Sequence, residues 1–266
     1  MKEMRRHPFR IGGRFFRLAV VAFMALGDGL FRRAFVPGSA ALVARSRWLQ
    51  HHSRRALKVF NLEAGVSGPV PTRGLLISNH LGYLDILVIS SITPVVFVSM
   101  RELRFWPAVG WLAQLAGTIF VDRRRRTDVG RVNQAVQAAL DSGALVVLFP
   151  EGRSSDGVTI LPFKSALLEP AARPTQPLTI GCVQYALADG DASQEACYWG
   201  KHVFLTHLLN LLGKQRVQAT VRFASFAPAG AGRKELARQL RAEIIKLKDQ
   251  SSGKFQDETQ PAGTDH

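Results

Sequence analysis

Along the chain, short apolar runs break off abruptly into polar clusters. Residues 75–77 are apolar, then come Ser78, Asn79 and His80, and apolar residues resume at Ile86. This predicts a buried strand with polar groups at its end, followed by a helix over residues 84–91. Residues 95–99, after Pro94, read as a second strand, and the stretch from Gly117 to Arg123 holds a third that ends in Asp122 and charge. Val129, Val132, Val136 and Leu140 at helical spacing predict a helix over residues 128–142, which Gly143 would terminate. Residues 144–149 are wholly apolar, as in a strand covered on both faces, and break into Pro150, Glu151, Gly152, Arg153 and Ser154. Val217, Ala219, Val221 and Phe223 alternate as in a half-buried strand. Residues 204–212 read as an apolar helix, and Leu236, Leu240, Ile244 and Leu247 as an amphipathic one. Strands alternating with helices imply an α/β fold with a mostly parallel central sheet flanked by helices.

Three predicted strands end in polar clusters, at Asn79 to Asp85, at Asp122 and Arg123, and at Glu151 to Ser154. Sheets of this kind build pockets from several strand ends, which makes these clusters the candidate site. His80 and Asp85 are five residues apart, about 140° around a continuous helix, so they meet only if the chain turns between them. Gly82 permits that turn, with Asp85 then in the first turn of the following helix and its carboxylate within reach of the imidazole. A His held this way is a general base; alternatively, the pair is a strand-end His beside a capping Asp.

Charge changes the picture at the N-terminus. Residues 1–60 hold thirteen Lys or Arg against Glu3 and Asp28, which is +11 of the formal +15. The apolar run 18–26 is too short for a span of about 20 residues, and arginines flank it on both sides. It reads as a helix lying in, or re-entering, an anionic membrane interface, on the cytoplasmic face of the cell (inner) membrane; a single-pass span and a soluble hairpin or cleaved signal are the competing readings. Residues 45–60 continue as a basic helix with Trp48, which leaves nucleic-acid binding open. His51 and His52 are adjacent and point apart, and Cys182 and Cys197 form no short metal-binding pair, so no metal is expected. Residues 105–112 form an aromatic stretch, read as a groove wall or membrane-facing edge. The organisation expected is a basic N-terminal membrane-anchoring helical segment at 1–64, with a Gly- and Pro-marked linker opening a domain at 65–248, and a polar, disordered tail at 249–266.

The ordered set Asn79-His-Leu-Gly-Tyr-Leu-Asp85, Gly117-Thr-Ile-Phe-Val-Asp-Arg123 and Phe149-Pro-Glu-Gly-Arg-Ser154 resembles the glycerolipid acyltransferases typified by 1-acylglycerol-3-phosphate acyltransferase. The resemblance runs from Arg73 to Tyr185, with a fourth motif loosely matched at Pro177 to Ile180. It implies fatty acyl transfer from acyl carrier protein or coenzyme A to a lysolipid hydroxyl, with no cofactor beyond the thioester and no nucleic acid. His80 and Asp85 would be catalytic. Asn79, Arg123, Glu151, Gly152, Arg153 and Ser154 would bind substrate, with Glu151 orienting basic groups and amides near Gly152 open to an anionic oxygen. His202 and His207 are read as partly exposed structural residues.

The chain departs from the family pattern at three points, the first being Met100 or Arg101, where relatives often carry Lys. Arg153 stands where Thr usually follows Glu-Gly, and Lys201 follows Trp199 and Gly200 where lyso-ornithine-lipid acyltransferases carry Asp. Both add positive charge, which favours a phosphate acceptor, 1-acylglycerol 3-phosphate, over a lyso-ornithine lipid. A non-catalytic basic lipid-binding or nucleic-acid-binding protein is the alternative from another class.

Overall fold

A computed structural model describes residues 7–35, 40–122, 128–172, 176–228 and 232–252. Two long helices, α1 (Pro8–Phe35) and α2 (Ala40–Phe60), precede the strand β1 (Leu62–Ser67). Then follow β2 (Gly74–Ser78), α3 (Tyr83–Ile92), β3 (Val96–Met100), α4 (Val109–Leu115), β4 (Ile119–Val121), α5 (Asp128–Asp141) and β5 (Leu145–Leu148). The chain continues through α6 (Glu169–Ala172), β6 (Leu178–Leu187), α7 (Ala192–Glu195), α8 (Phe204–Gly213), β7 (Val217–Ser225) and α9 (Arg233–Ser252). The described strands form one sheet in the order β1-β7-β6-β2-β5-β3-β4. All neighbours are parallel except β6 and β7, so β7 and β1 run against the rest.

Strand pleating sorts the core into two layers. Leu76 and Val147 face a cluster with Phe60, Leu84, Val88, Ile89, Leu211 and Leu212, from α2, α3 and α8. Leu75, Ile77, Val146 and Leu148 face the opposite layer, with Val132, Val136 and Leu140 of α5 and Leu236, Leu240 and Ile244 of α9. Coverage on both sides is why β2 and β5 are apolar without alternation.

Three expectations are corrected. The segment read as a linker from Gly65 belongs in part to β1, which pairs with β7 through Leu62↔Val217 to Ser67↔Arg222; the partner strand, far off in sequence, supplies hydrogen bonds that outweigh the weak local strand signal. The N-terminal helices are not a separate segment: Leu18, Val21 and Leu49 pack on the same core as β2, and the Arg10 and Arg14 guanidiniums donate to the carbonyls of Gly213, Leu212 and Lys214 at the end of α8. The helix α9 continues through Asp249 to Ser252, and residues 253–266 lie outside the described residues. Among the described residues no helix is long and apolar enough to cross a membrane.

Candidate active site

The loop between β2 and α3 carries His80. Gly82 takes φ 155°, ψ −166°, a backbone state reserved for glycine, and a Cβ there would lie 2.9 Å from the Tyr198 amide nitrogen. This sharp turn places Asp85 in the first turn of α3, folded back toward the loop. Its Oδ2 accepts from His80 Nδ1 at 2.8 Å, Leu81 N at 2.6 Å and Gly82 N at 3.0 Å. Its Oδ1 accepts from Tyr185 Oη at 2.7 Å. Asp85 is fully buried, with four donors directed at its two oxygens. An acceptor-only partner puts the imidazole proton on Nδ1 and leaves the Nε2 lone pair outward. The ring is 23% exposed and stacks on Phe149, centroids 4.2 Å apart and planes 15° apart.

The residues behind the loop are fully engaged. Asn79 bonds the backbone of Val183 in both directions, at 2.9 and 2.8 Å, tying β2 to β6. Glu151 is buried, with one oxygen accepting from His80 N at 2.8 Å and the other from Leu161 N at 3.0 Å. It holds main chain, where basic side chains were expected as its partners. Burial pushes its carboxyl up to about 6, against those two backbone donors. The Gly152 amide, expected open to an anion, donates to Phe149 O at 3.1 Å; Lys164 Nζ lies 3.0 Å from where a Gly152 Cβ would stand. Ser154 Oγ donates to Tyr198 O at 2.5 Å, while Ser155 N and Tyr198 N donate to the His80 and Leu81 carbonyls. Arg153 is exposed beside this loop.

The structure therefore joins the first and third polar clusters, since β2 and β5 are neighbours. The second lies on β4 at the sheet edge, two strands beyond β5, where Asp122 pairs with Arg101 at 3.0 Å. Arg123 falls outside the described residues. His207 is buried, in contrast to the partly exposed residue expected. Its Nε2 donates to Cys197 O at 3.1 Å, its Nδ1 accepts from Tyr83 Oη at 3.0 Å, and burial pushes it down to about 4. Cys182 and Cys197 are buried free thiols, and burial pushes Cys182 up to about 12 and Cys197 higher, which leaves both poor nucleophiles. Tyr185 escaped the sequence reading. Its one signal is its place two residues after Val183, on the same face of β6.

A base with one nitrogen fixed and the other open, at the C-terminal end of a central parallel strand, suits proton abstraction from a hydroxyl. A sequence profile for the family described as Acyltransferase matches residues 63–183. Over 85% of this chain and 89% of its own length, a lyso-ornithine lipid O-acyltransferase of Pseudomonas aeruginosa is 30% identical; one of Rhizobium meliloti is 34% identical over 76% and 75%. The chain belongs to this acyltransferase family. A 1-acyl-sn-glycerol-3-phosphate acyltransferase of Neisseria gonorrhoeae is 40% identical over 41% of this acyltransferase and 44% of its own chain. The fold matches the crystal structure of the LPA acyltransferase PlsC from Thermotoga maritima with a TM-score of 0.67, covering 94% of this chain and 98% of that one at 17% identity.

Proposed function

We propose that the protein transfers a fatty acyl group from a thioester of acyl carrier protein or coenzyme A to the hydroxyl of a lysolipid, with His80 as the base. The observation that carries this is the His80 to Asp85 hydrogen bond, which leaves Nε2 open at the strand end. Nε2 takes the hydroxyl proton as the oxygen attacks the thioester carbonyl. The resulting imidazolium, held by Asp85, returns the proton to the departing thiolate, so the ester C–O bond forms as the C–S bond breaks. These steps call on no cofactor beyond the thioester. Asn79 and Glu151 act here as struts of the loop, and Arg153 with Lys164 supplies positive charge for an acceptor headgroup.

Those cations favour 1-acylglycerol 3-phosphate, whose phosphomonoester carries nearly two charges. A second reading, a lyso-ornithine lipid, is favoured by the length of the matches to relatives of that name. Purified protein given an acyl thioester and each lysolipid in turn should release thiol and form the diacyl product. Turnover of lyso-ornithine lipid with none of lysophosphatidic acid would overturn the phosphate reading, and thiol release with neither would overturn acyl transfer to lysolipids.

We also assign the membrane contact to α1. Phe9, Phe16, Phe23 and Leu30 recur every seven residues and are 95, 69, 79 and 61% exposed, while Ile11, Leu18, Val21 and Ala25 face inward. An unpartnered apolar stripe among arginines fits an anionic lipid interface. Phe16→Ser with Phe23→Ser should weaken vesicle binding at least about tenfold and shift stability by no more than about 0.5 kcal/mol. Full release of the wild type by high salt would show the attachment to be electrostatic alone.

A further inference from the structure

A second polar feature lies away from the catalytic loop. A cavity of about 20 Å³ opens where α1, α2 and α4 meet, lined among others by Gly29, Arg32, Arg33, Arg45, Trp48 and Leu115. Leu115 closes α4 just before β4 starts at Ile119, so the cavity lies toward the N-terminal ends of the parallel strands, whereas His80 follows the C-terminal end of β2. Its charges do not cancel. Asp28 pairs with Arg32 at 2.9 Å and also bonds His52 at 3.1 Å. Among the described residues, Arg33 and Arg45 have no acidic partner.

Trp48 supplies the independent observation. The side chain is 4% exposed, yet its indole Nε1–H has no acceptor. A buried donor left unmet is costly and rare, which marks it as waiting for an acceptor. The ring edge next to Nε1 packs on Gly29, which lines the cavity with Trp48: a Cβ there would stand 3.1 Å from Trp48 Cζ2 and 3.2 Å from Cε2, the carbon bonded to Nε1. The space suits one oxygen-sized group, with the rest of an anion held at the mouth among the guanidiniums. On α1 the exposed stripe ends at Leu30, and Arg33, three residues and about one turn further on, lies on nearly the same face, so a cation of this mouth borders the stripe.

We propose that the cavity is a phosphate site for an anionic membrane lipid, with Trp48 Nε1–H as its buried donor and Arg33 and Arg45 as its flanking cations. The site shares the membrane attachment of α1 with the proposed function but is independent of the acyl-transfer chemistry. A diffuse basic surface responds only to charge; a built site responds also to loss of a neutral donor.

The test uses the full-length protein and phosphatidylcholine vesicles with and without phosphatidylglycerol. Trp48→Phe, which changes no charge, should reduce the gain from phosphatidylglycerol about three- to tenfold, and Arg45→Gln about tenfold or more. Arg17→Gln, on α1 outside the cavity, should reduce it no more than about fivefold, the effect of one charge near a surface. The Trp48→Phe, Arg45→Gln pair should lose less than the product of the single effects, because both meet the same phosphate. Wild-type binding by Trp48→Phe, with Arg45→Gln matching Arg17→Gln, would overturn the site. If Trp48→Phe does not fold, the comparison of Arg33→Gln and Arg45→Gln with Arg17→Gln decides, equal losses overturning it. Saturable binding of inorganic phosphate lost in Arg45→Gln, with no preference for anionic vesicles, would overturn the lipid as its source. Turnover on a detergent-dispersed lysolipid should be unchanged in Arg45→Gln.

Discussion

The loop that carries His80 and the cavity beside Trp48 treat their polar groups in opposite ways. In the loop every polar group behind the imidazole is engaged: Asp85 meets four donors, Glu151 two backbone amides and Asn79 both sides of the Val183 peptide. Only Nε2 is left outward. At the cavity, a buried indole N–H and two arginines have no acceptor among the described residues. The first pattern suits the proposed reaction centre, in which the bonds to Asp85 exist before substrate arrives and need no reorganisation. The second suits the proposed receptor, completed by its ligand. Full satisfaction at one end of the sheet and deficit at the other separate the proposed chemistry from the proposed attachment.

The largest expected effect breaks the first half of this contrast. His80→Ala removes the one outward group and none of the struts, so turnover should fall about 10²- to 10⁴-fold while the thermal midpoint stays near that of the wild type. Thiol release measured alongside a melt checks both. A folded variant with near-normal turnover would remove His80 from the mechanism.

Next in size are the struts. Tyr185→Phe leaves Asp85 Oδ1 buried without its donor, and Glu151→Gln sets an amide against one of two backbone N–H groups; each should cost about 1–3 kcal/mol in denaturant unfolding. Glu151 also carries a pH signature. Burial raises its carboxyl from 4.5 to about 6, so folding favours the protonated form. Its contribution is fully present below 4.5 and is lost as pH rises through about 6. Glu151→Gln should abolish that decline, and a decline of the same slope in the variant would assign it elsewhere.

The central strands, their helices and the pairing of His80 with Asp85 were legible in the sequence because their signals are local: apolar runs for β2 and β5, and a glycine between two polar residues for the turn. What stayed hidden depends on partners distant in the chain. Tyr185 reaches Asp85 from 100 residues away, and Leu62–Ser67 is a strand only because β7 pairs with it. The apolar run 18–26 illustrates a third difficulty. Its composition marks an apolar helix, but only packing divides it into Leu18, Val21 and Ala25 facing the core and Phe23 facing out. For Glu151 the resemblance implies a role in orienting basic groups, whereas the fold turns it toward main-chain amides.

The smallest expected effect concerns His207, whose neutral form burial favours. Its Nε2–H donates to Cys197 O while Nδ1 accepts the Tyr83 hydroxyl; a proton on Nδ1 would reverse the second bond and put a charge in the buried site. Burial lowers this imidazole from 6.5 to about 4, so its contribution to stability is fully present above 6.5 and is lost as pH falls through about 4. Between 4.5 and 6 this slope opposes the one from Glu151, and in the wild type the two partly cancel. It should therefore emerge in Glu151→Gln, as unfolding free energy that rises with pH across this range. Adding His207→Gln should flatten the rise whatever it does to the absolute stability, because the slope reads only a group that titrates. A rise that survives the second substitution would place the titrating group outside the Tyr83, His207 and Cys197 contact.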